Sequence, residues 1–270
     1  MSTLRACAKL NLALVVGPLR DDGKHELVTV MQTIDLFDDI ALEVAPALMV
    51  EGFPEDTLVR DALESLAAAA GVTPSWHVRI EKRIPVAGGL GGGSSDAAAA
   101  LRLANALLDQ PLEPPALHGM AARLGADAPF FLRGGSQLAT GDGTDLVPLD
   151  LPNDYWGLLV WPAGETKRST SSVYGEFDER GGAAGFGERR AALLQALDRV
   201  ERPTDLANLP QNDLASSAVA AELQRLGAFR ADVTGAGPVV YGLFEHVEQA
   251  EAAAAYLRGA DRTWIVRPVV

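Results

Sequence analysis

Residues 76–82 read WHVRIEK, with Trp76, Val78 and Ile80 alternating against His77, Arg79 and Glu81. A two-residue repeat sends alternate side chains to opposite faces, so the segment predicts a strand with one buried face. Residues 8–16 alternate similarly, and 27–44 is long enough for one strand or two. Helical spacing takes over from Thr57 to Ala70. Gly71 follows, where a left-handed terminal residue without a Cβ is cheapest. A stronger helix is predicted from Asp96 to Asp109, a shorter one over 116–125, and three more over 188–200, 212–227 and 247–259. Residues 130–149, FFLRGGSQLATGDGTDLVPL, read as strands joined by glycine turns. Residues 231–245 read as a glycine-rich turn feeding a strand, and 262–270 as a last strand. Composition marks 178–190 as a mobile surface loop. The mixture lacks the strand–helix–strand rhythm of an all-parallel sheet, which predicts an α+β fold, with two lobes as one arrangement. Pro148 and Pro152 set a domain boundary near residue 152, dividing 1–152 from 153–270.

Composition narrows the function classes. The 270 residues are 48% hydrophobic and 22% charged, as in an ordinary globular protein with a sizeable core. No apolar run is long enough for a transmembrane helix. Lys9 and Asn11 interrupt the apolar start, which therefore reads as a strand and not a signal peptide. A single cysteine, Cys7, forms no internal disulfide, and the four histidines lack ligand spacing, so no protein-built metal site is expected. A reducing cytoplasm fits these counts. The net charge of −13 argues against nucleic acid and anionic membranes as partners. It leaves room for a small anion, because aligned backbone N–H groups bind phosphate without net positive charge.

The segment from Pro85 to Asp96 has that character. Gly88, Gly89, Gly91, Gly92 and Gly93 are five glycines within six positions. Glycine lets the backbone approach a ligand and take positive φ. Ser94, Ser95 and Asp96 are residue types that cap a helix, and a helix start offers unpaired N–H donors and partial positive charge. The combination predicts a site for nucleotide phosphates. It is not a P-loop, since the lysine of G-x4-G-K-[ST] is missing. Nor is it the dinucleotide fingerprint, because Ser94 stands where its third glycine belongs. A flexible connection before a capped helix is the plainer reading of the same residues.

PVAGGLGGGSSDAAA (85–99) resembles the P-x3-G-L-G-x2-S-S motif of the GHMP kinases, small-molecule kinases named for galactose, homoserine, mevalonate and phosphomevalonate. Segments 8–16 (AKLNLALVV), 22–38 (DGKHELVTVMQTIDLFD), 124–149 (with GADAPFF) and 233–244 (VTGAGPVVYGLF) are similar, in the same order, to the branch whose acceptor is a cytidine-diphosphate-linked polyol. The resemblance covers nearly the whole chain. It implies a two-lobed fold, with a ribosomal protein S5 domain 2-like N-terminal domain and an α+β C-terminal domain. It also implies ATP-dependent phosphorylation of the polyol's 2-hydroxyl on the non-mevalonate route to isoprenoid precursors. Mg2+ is implied by the reaction class, and the enzyme is expected as a monomer or homodimer.

The resemblance also assigns roles. Lys9 and Asp127 are the catalytic candidates, Lys9 stabilising phosphate oxygens and Asp127 accepting or orienting the acceptor proton. A carboxylate beside Phe130 and Phe131 loses water and needs a cation near it, for which Lys9 is the candidate. By pattern alone, Lys9 also suits an outward-facing strand position and Asp127 a turn cap. Pro85, Gly88, Gly89, Leu90, Gly91, Gly92, Gly93, Ser94 and Ser95 are expected to hold the nucleotide, with Ser95 on a phosphate oxygen or the magnesium ion. Asn11, His25, Thr170, Tyr174, Thr234, Gly235 and Gly237 are expected to bind the acceptor, His25 reading the cytosine edge and Tyr174 stacking on its face. Lys24 stands where the family usually has tyrosine, so one stacking wall is missing. The competing readings are another GHMP kinase, acting on homoserine or a mevalonate-type alcohol, and a nucleotide-binding module without catalysis. The module has no use for Lys9 and Asp127 together.

Overall fold

The computed structural model describes the chain except residues 54–56, 166–167 and 258–261. Two compact units emerge. One holds Met1–Ala8, Leu36–Val86 and Gly91–Gly134; the other holds Lys9–Asp35, Ala87–Leu90 and Gly135–Val270. The long strands β1 (Ser2–Leu19) and β2 (His25–Val44) pair with each other and contribute residues to both units. The segment 27–44 is thus one strand.

In the first unit, β3 (Met49–Glu51) precedes α1 (Leu58–Ala70) and β4 (Trp76–Glu81). Asp39–Val44 of β2 pairs antiparallel with β4, and β3 runs parallel to β4. The alternation read from the sequence is realised, with Trp76, Val78 and Ile80 buried. They pack with Ile40 and Leu42 of β2 and Leu63 and Leu66 of α1. Each such side chain contributes about 1.5–3 kcal/mol of burial. Gly71 ends α1 in the left-handed region, at φ 67°. The remaining helices are α2 (Gly92–Asn105), α3 (Pro114–Leu124) and α4 (Ala128–Arg133).

Two expectations need correction here. The glycine-loop helix spans Gly92–Asn105, not Asp96–Asp109. It stops because the Asn105 side chain turns the chain back, donating to the Leu112 carbonyl at 3.1 Å and accepting from the Leu112 N–H at 2.8 Å. Residues 130–133 are helical, not extended. Pro129 sits in the first turn of α4, where its missing N–H costs nothing, and Gly134 closes the helix at φ 75°.

In the second unit, Leu27–Gln32 of β2 pairs antiparallel with β5 (Ser136–Gly141), which pairs with β6 (Asp145–Leu149). After β7 (Trp156–Trp161) come α5 (Thr170–Glu179), α6 (Phe186–Leu197), a 3-10 turn over Pro203–Asn208, and α7 (Ala218–Arg225). Then follow β8 (Arg230–Val233), β9 (Val240–Phe244), α8 (Val247–Leu257) and β10 (Arg262–Val266). The last four strands form an antiparallel sheet in the order β10-β7-β9-β8. Leu158, Val160, Val240 and Phe244 pack against Leu223 of α7 and Ala250, Ala253 and Ala254 of α8.

The 178–190 segment is not a long loop, since α5 runs to Glu179 and α6 starts at Phe186. A Cβ on Gly17 would come within 2.9 Å of the Phe186 ring, so that ring lies on bare backbone. The 212–227 helix begins only at Ala218, because Asn212 is engaged elsewhere and Ser217 caps the helix through the Val219 N–H. The expected helix over 247–259 runs as far as Leu257, and its last two residues lie outside the described residues. No helix of the described residues is long and apolar enough to cross a membrane.

Candidate functional site

In the second unit the site is built around a buried lysine. Lys9 and Asn11 are two apart on β1, so their side chains share a face. Lys9 is 3% exposed. Its ammonium donates to the Asn11 Oδ1 at 2.5 Å. The Asn11 amide nitrogen donates to the Thr29 hydroxyl at 2.8 Å, and that hydroxyl donates to the Ala13 carbonyl at 2.6 Å. The Asn11 backbone N–H donates to the Thr234 hydroxyl at 3.1 Å. Thr29 was not a candidate by sequence. Its only signal was a polar residue within the apolar run of β2.

Two glycine turns close on this row. Gly89 has φ +83°, and a Cβ there would lie 2.3 Å from the Thr234 carbonyl oxygen. Gly235 has φ +58°, and its Cβ would lie 3.3 Å from the Lys9 ammonium and 3.2 Å from the Gly89 oxygen. Both positions need glycine for conformation and for space. The Lys9 N–H donates to the Leu90 carbonyl at 3.0 Å, the Val239 N–H to that of Gly88 at 3.2 Å, and the Gly237 N–H to that of Thr234 at 3.0 Å. Asn212, also unmarked in the sequence, donates its amide to the carbonyls of Gly235 at 2.7 Å and Val233 at 3.0 Å. The structure thus brings together Lys9, Asn11, Gly88, Gly89, Leu90, Thr234, Gly235 and Gly237.

His25 and Tyr174 meet in the same unit, with ring centroids 5.0 Å apart. His25 is 7% exposed. Its Nδ1 lies 2.8 Å from the Gly17 carbonyl, which only accepts, so Nδ1 carries a proton. Nε2 lies 3.4 Å from Asp178, and Phe177 packs edge-on to the ring at 5.8 Å. Thr170 opens α5, exposed, one turn before Tyr174. Lys24 pairs with Asp142 at 2.5 Å. Burial raises the Asp142 carboxyl, but hydrogen bonds from Lys24 and Thr144 outweigh that and hold it at about 2.

The other candidates lie in the first unit. Pro85 is buried, and Gly91, at φ 73°, is the residue before α2. The Ser95 N–H is the first to bond back into the helix, to Gly91, so the Gly92, Gly93 and Ser94 amides precede the helical ladder. Ser94 and Ser95 lie inside the helix and do not cap it. The Ser95 hydroxyl donates to the Cys7 carbonyl at 2.7 Å. A Cβ on Gly125 would come 4.0 Å from the Ser94 hydroxyl, which sets the turn leading to Asp127 beside the start of α2. Asp127 is half-buried at the cap position of α4 and makes no side-chain cap bond there.

Asp96 is fully buried one turn into α2. It accepts from Lys82 at 2.7 Å, and Lys82 donates to Asp38 at 2.6 Å. Burial raises the Asp96 carboxyl to about 8, against the pull of Lys82 and with Asp38 adding repulsion. Burial lowers Lys82, but the two carboxylates outweigh it and raise the ammonium above its ordinary range. No group of three His, Cys, Asp or Glu among the described residues is arranged to hold a metal ion.

The family model described as GHMP kinases N terminal domain matches residues 57–135, and that described as GHMP kinases C terminal matches 214–261. The chain is 41% identical to a 4-diphosphocytidyl-2-C-methyl-D-erythritol kinase of Nocardia farcinica (strain IFM 10152), over 98% of this chain and 92% of that protein. A crystal structure of 4-(cytidine 5'-diphospho)-2C-methyl-D-erythritol kinase superposes with a TM-score of 0.79 at 32% identity, covering 100% of both chains. The Methanococcus jannaschii mevalonate kinase superposes with a TM-score of 0.77 at 13% identity, covering 100% of this chain and 98% of that one, a likeness of fold alone.

Proposed function

Because the chain belongs to the 4-diphosphocytidyl-2-C-methyl-D-erythritol kinase family of the GHMP kinases, we propose that it transfers the γ-phosphoryl group of ATP to the 2-hydroxyl of 4-diphosphocytidyl-2-C-methyl-D-erythritol. The observation that carries the reading is the buried Lys9 ammonium beside the Gly235 turn, which closes on Gly89 so tightly that a side chain crowds the backbone at either glycine. A cation in that setting has little water to screen it, so it acts strongly on phosphate oxygens.

In this proposal the segment Pro85–Ser95 receives the triphosphate on backbone amides, helped by the positive end of α2. Asp127 takes or orients the proton of the 2-hydroxyl as that oxygen attacks the γ-phosphorus. The bond from the γ-phosphorus to the β-phosphate oxygen breaks, and ADP leaves. Lys9 stabilises the charge on the migrating group, and Asn11 fixes the ammonium. A magnesium ion bound with the triphosphate would neutralise part of its charge. Ser95, whose hydroxyl donates to the Cys7 carbonyl and so keeps its lone pairs, would be the residue to hold that ion. His25 reads the cytosine edge, Tyr174 offers a stacking surface, and Thr170 adds a hydroxyl. Thr234, Gly235 and Gly237 hold the acceptor side of the Lys9 row. The division at residue 152, a cytoplasmic location and a monomer or homodimer belong to the same reading.

The test measures ADP release with a panel of acceptors: the cytidine compound, its uridine counterpart, homoserine and mevalonate. Turnover of the cytidine compound at kcat/KM far above the others is expected. Preference for homoserine or mevalonate moves the chain to another GHMP activity, and no turnover with any acceptor refutes catalysis.

A further inference from the structure

A segment with five glycines has few side chains to hold its shape, and its disorder when free opposes ligand binding. The first unit supplies two anchors for it. At the entry, the buried Asp38 carboxylate accepts from the N–H groups of Arg83 at 2.5 Å and Ile84 at 2.8 Å, just ahead of Pro85. At the exit, Asp96 sits one turn into α2. Lys82 joins the anchors, 2.6 Å from Asp38 and 2.7 Å from Asp96. A Cβ on Gly92 would stand 3.4 Å from the Lys82 ammonium and 3.1 Å from Ile84, so the cluster packs directly on the first residue of α2.

Stability does not account for these three ionisable groups. Buried ion clusters stabilise little compared with well-packed apolar residues, and here burial keeps the Asp96 carboxyl protonated at neutral pH, so Lys82 faces one carboxylate and one neutral acid. One Asp96 oxygen is buried without a hydrogen-bond partner among the described residues. What the cluster does supply is geometry. Ionic hydrogen bonds are short and directional, and these tie together the two ends of the segment.

We infer that Asp38, Lys82 and Asp96 are positioning residues for ATP, holding entry strand and α2 at the separation that aims the Gly92–Ser94 amides at the polyphosphate. The inference rests on the nucleotide reading given above. Asp38 and Asp96 are both 0% exposed, so neither touches a ligand, and any effect they have on ATP passes through the backbone.

The test uses the full chain with Asp96→Asn, Asp38→Asn and Lys82→Arg. Steady-state kinetics are combined with amide hydrogen exchange, with and without a non-hydrolysable ATP analogue. In the unaltered chain the analogue is expected to slow exchange over 88–95. Each Asn variant is expected to raise the KM for ATP about tenfold or more, the scale of a small misplacement of binding groups, with the acceptor KM within about twofold. Lys82→Arg, which keeps the charge, is expected to fall between them and the unaltered chain. A purely structural role lowers the folded fraction and hence kcat while both KM values stay put, and that pattern overturns the inference. If the analogue gives no protection over 88–95 in the unaltered chain, the nucleotide reading itself fails. Protection there with unchanged ATP KM in the variants defeats only the positioning role. Should one Asn variant fail to fold, the other and Lys82→Arg decide.

Discussion

The Lys9 ammonium donates to the Asn11 side-chain oxygen at 2.5 Å, and this contact decides which way the Asn11 amide faces. An ammonium has no lone pair, so the oxygen must turn toward it and the NH2 must turn toward Thr29. The direction of every bond from Lys9 to the Ala13 carbonyl is therefore fixed. Thr29→Val removes the acceptor for that NH2 and the donor for that carbonyl. The expected loss is about 1–3 kcal/mol, seen as a fall in Tm of roughly 3–10 °C by calorimetry.

Lys9→Ala and Asp127→Asn are each expected to lower kcat by at least about 10²-fold, as for electrostatic and acid–base groups. Single-turnover ADP formation by the folded variants measures this directly. Near-normal turnover by Asp127→Asn removes that residue from the reaction.

Gly89→Ala forces a Cβ to within 2.3 Å of the Thr234 carbonyl at a φ of +83°. The expected cost is more than about 3 kcal/mol, with loss of turnover. Gly181→Ala is the matched control, because φ is +65° but nothing lies within 4 Å. It is expected to cost only about 1–2 kcal/mol and to leave kcat unchanged. Urea unfolding of the two variants separates crowding from backbone strain.

The pH dependence of stability has a sign fixed by Asp96. Its carboxyl lies at about 8 in the folded chain, well above the ordinary carboxylate range of an unfolded one. Between these values the unfolded chain has released the proton and the folded chain retains it. Stability contributed by this group is therefore full below about pH 4 and is lost as pH rises toward 8. Asp96→Asn removes the dependence. The urea midpoint of the unaltered chain is expected to fall relative to that variant between pH 5 and 8.5.

His25→Ala is expected to lower kcat/KM for the cytidine acceptor about 10–100-fold, the effect of one lost base contact, and to narrow the gap between cytidine and uridine acceptors. Equal kcat/KM for both acceptors in the unaltered chain removes base reading by His25. Lys24 is tied to Asp142, so the missing tyrosine wall is not compensated by a free cation.

Local rules were legible in the sequence. Gly71 ends α1 as a left-handed residue, and the 76–81 alternation becomes a half-buried strand. The clustered glycines marked the loop, and Lys9 stood out as a charge in an apolar strand. Several misreadings share a cause, which is that polar residues were assigned to local partners. Ser94, Ser95 and Asp96 looked like caps, but Gly91 holds the cap position, and Ser95 and Asp96 face inward to Cys7 and Lys82. Asn212 looked like the start of a helix, yet it bonds the backbone of the 233–235 turn. Asp38 and Lys82 are 44 residues apart, and no periodicity links them. Partners that distant are set by topology, which a single sequence does not display.

The close approach of Gly89 to Thr234 and of Gly235 to Lys9 has an implication for altering acceptor choice. That corner has no slack, since even a methyl group collides with main chain or displaces the lysine. On the proposed reading, changes of selectivity come instead through the rings of His25 and Tyr174, and a replacement for His25 must still supply a donor to the Gly17 carbonyl.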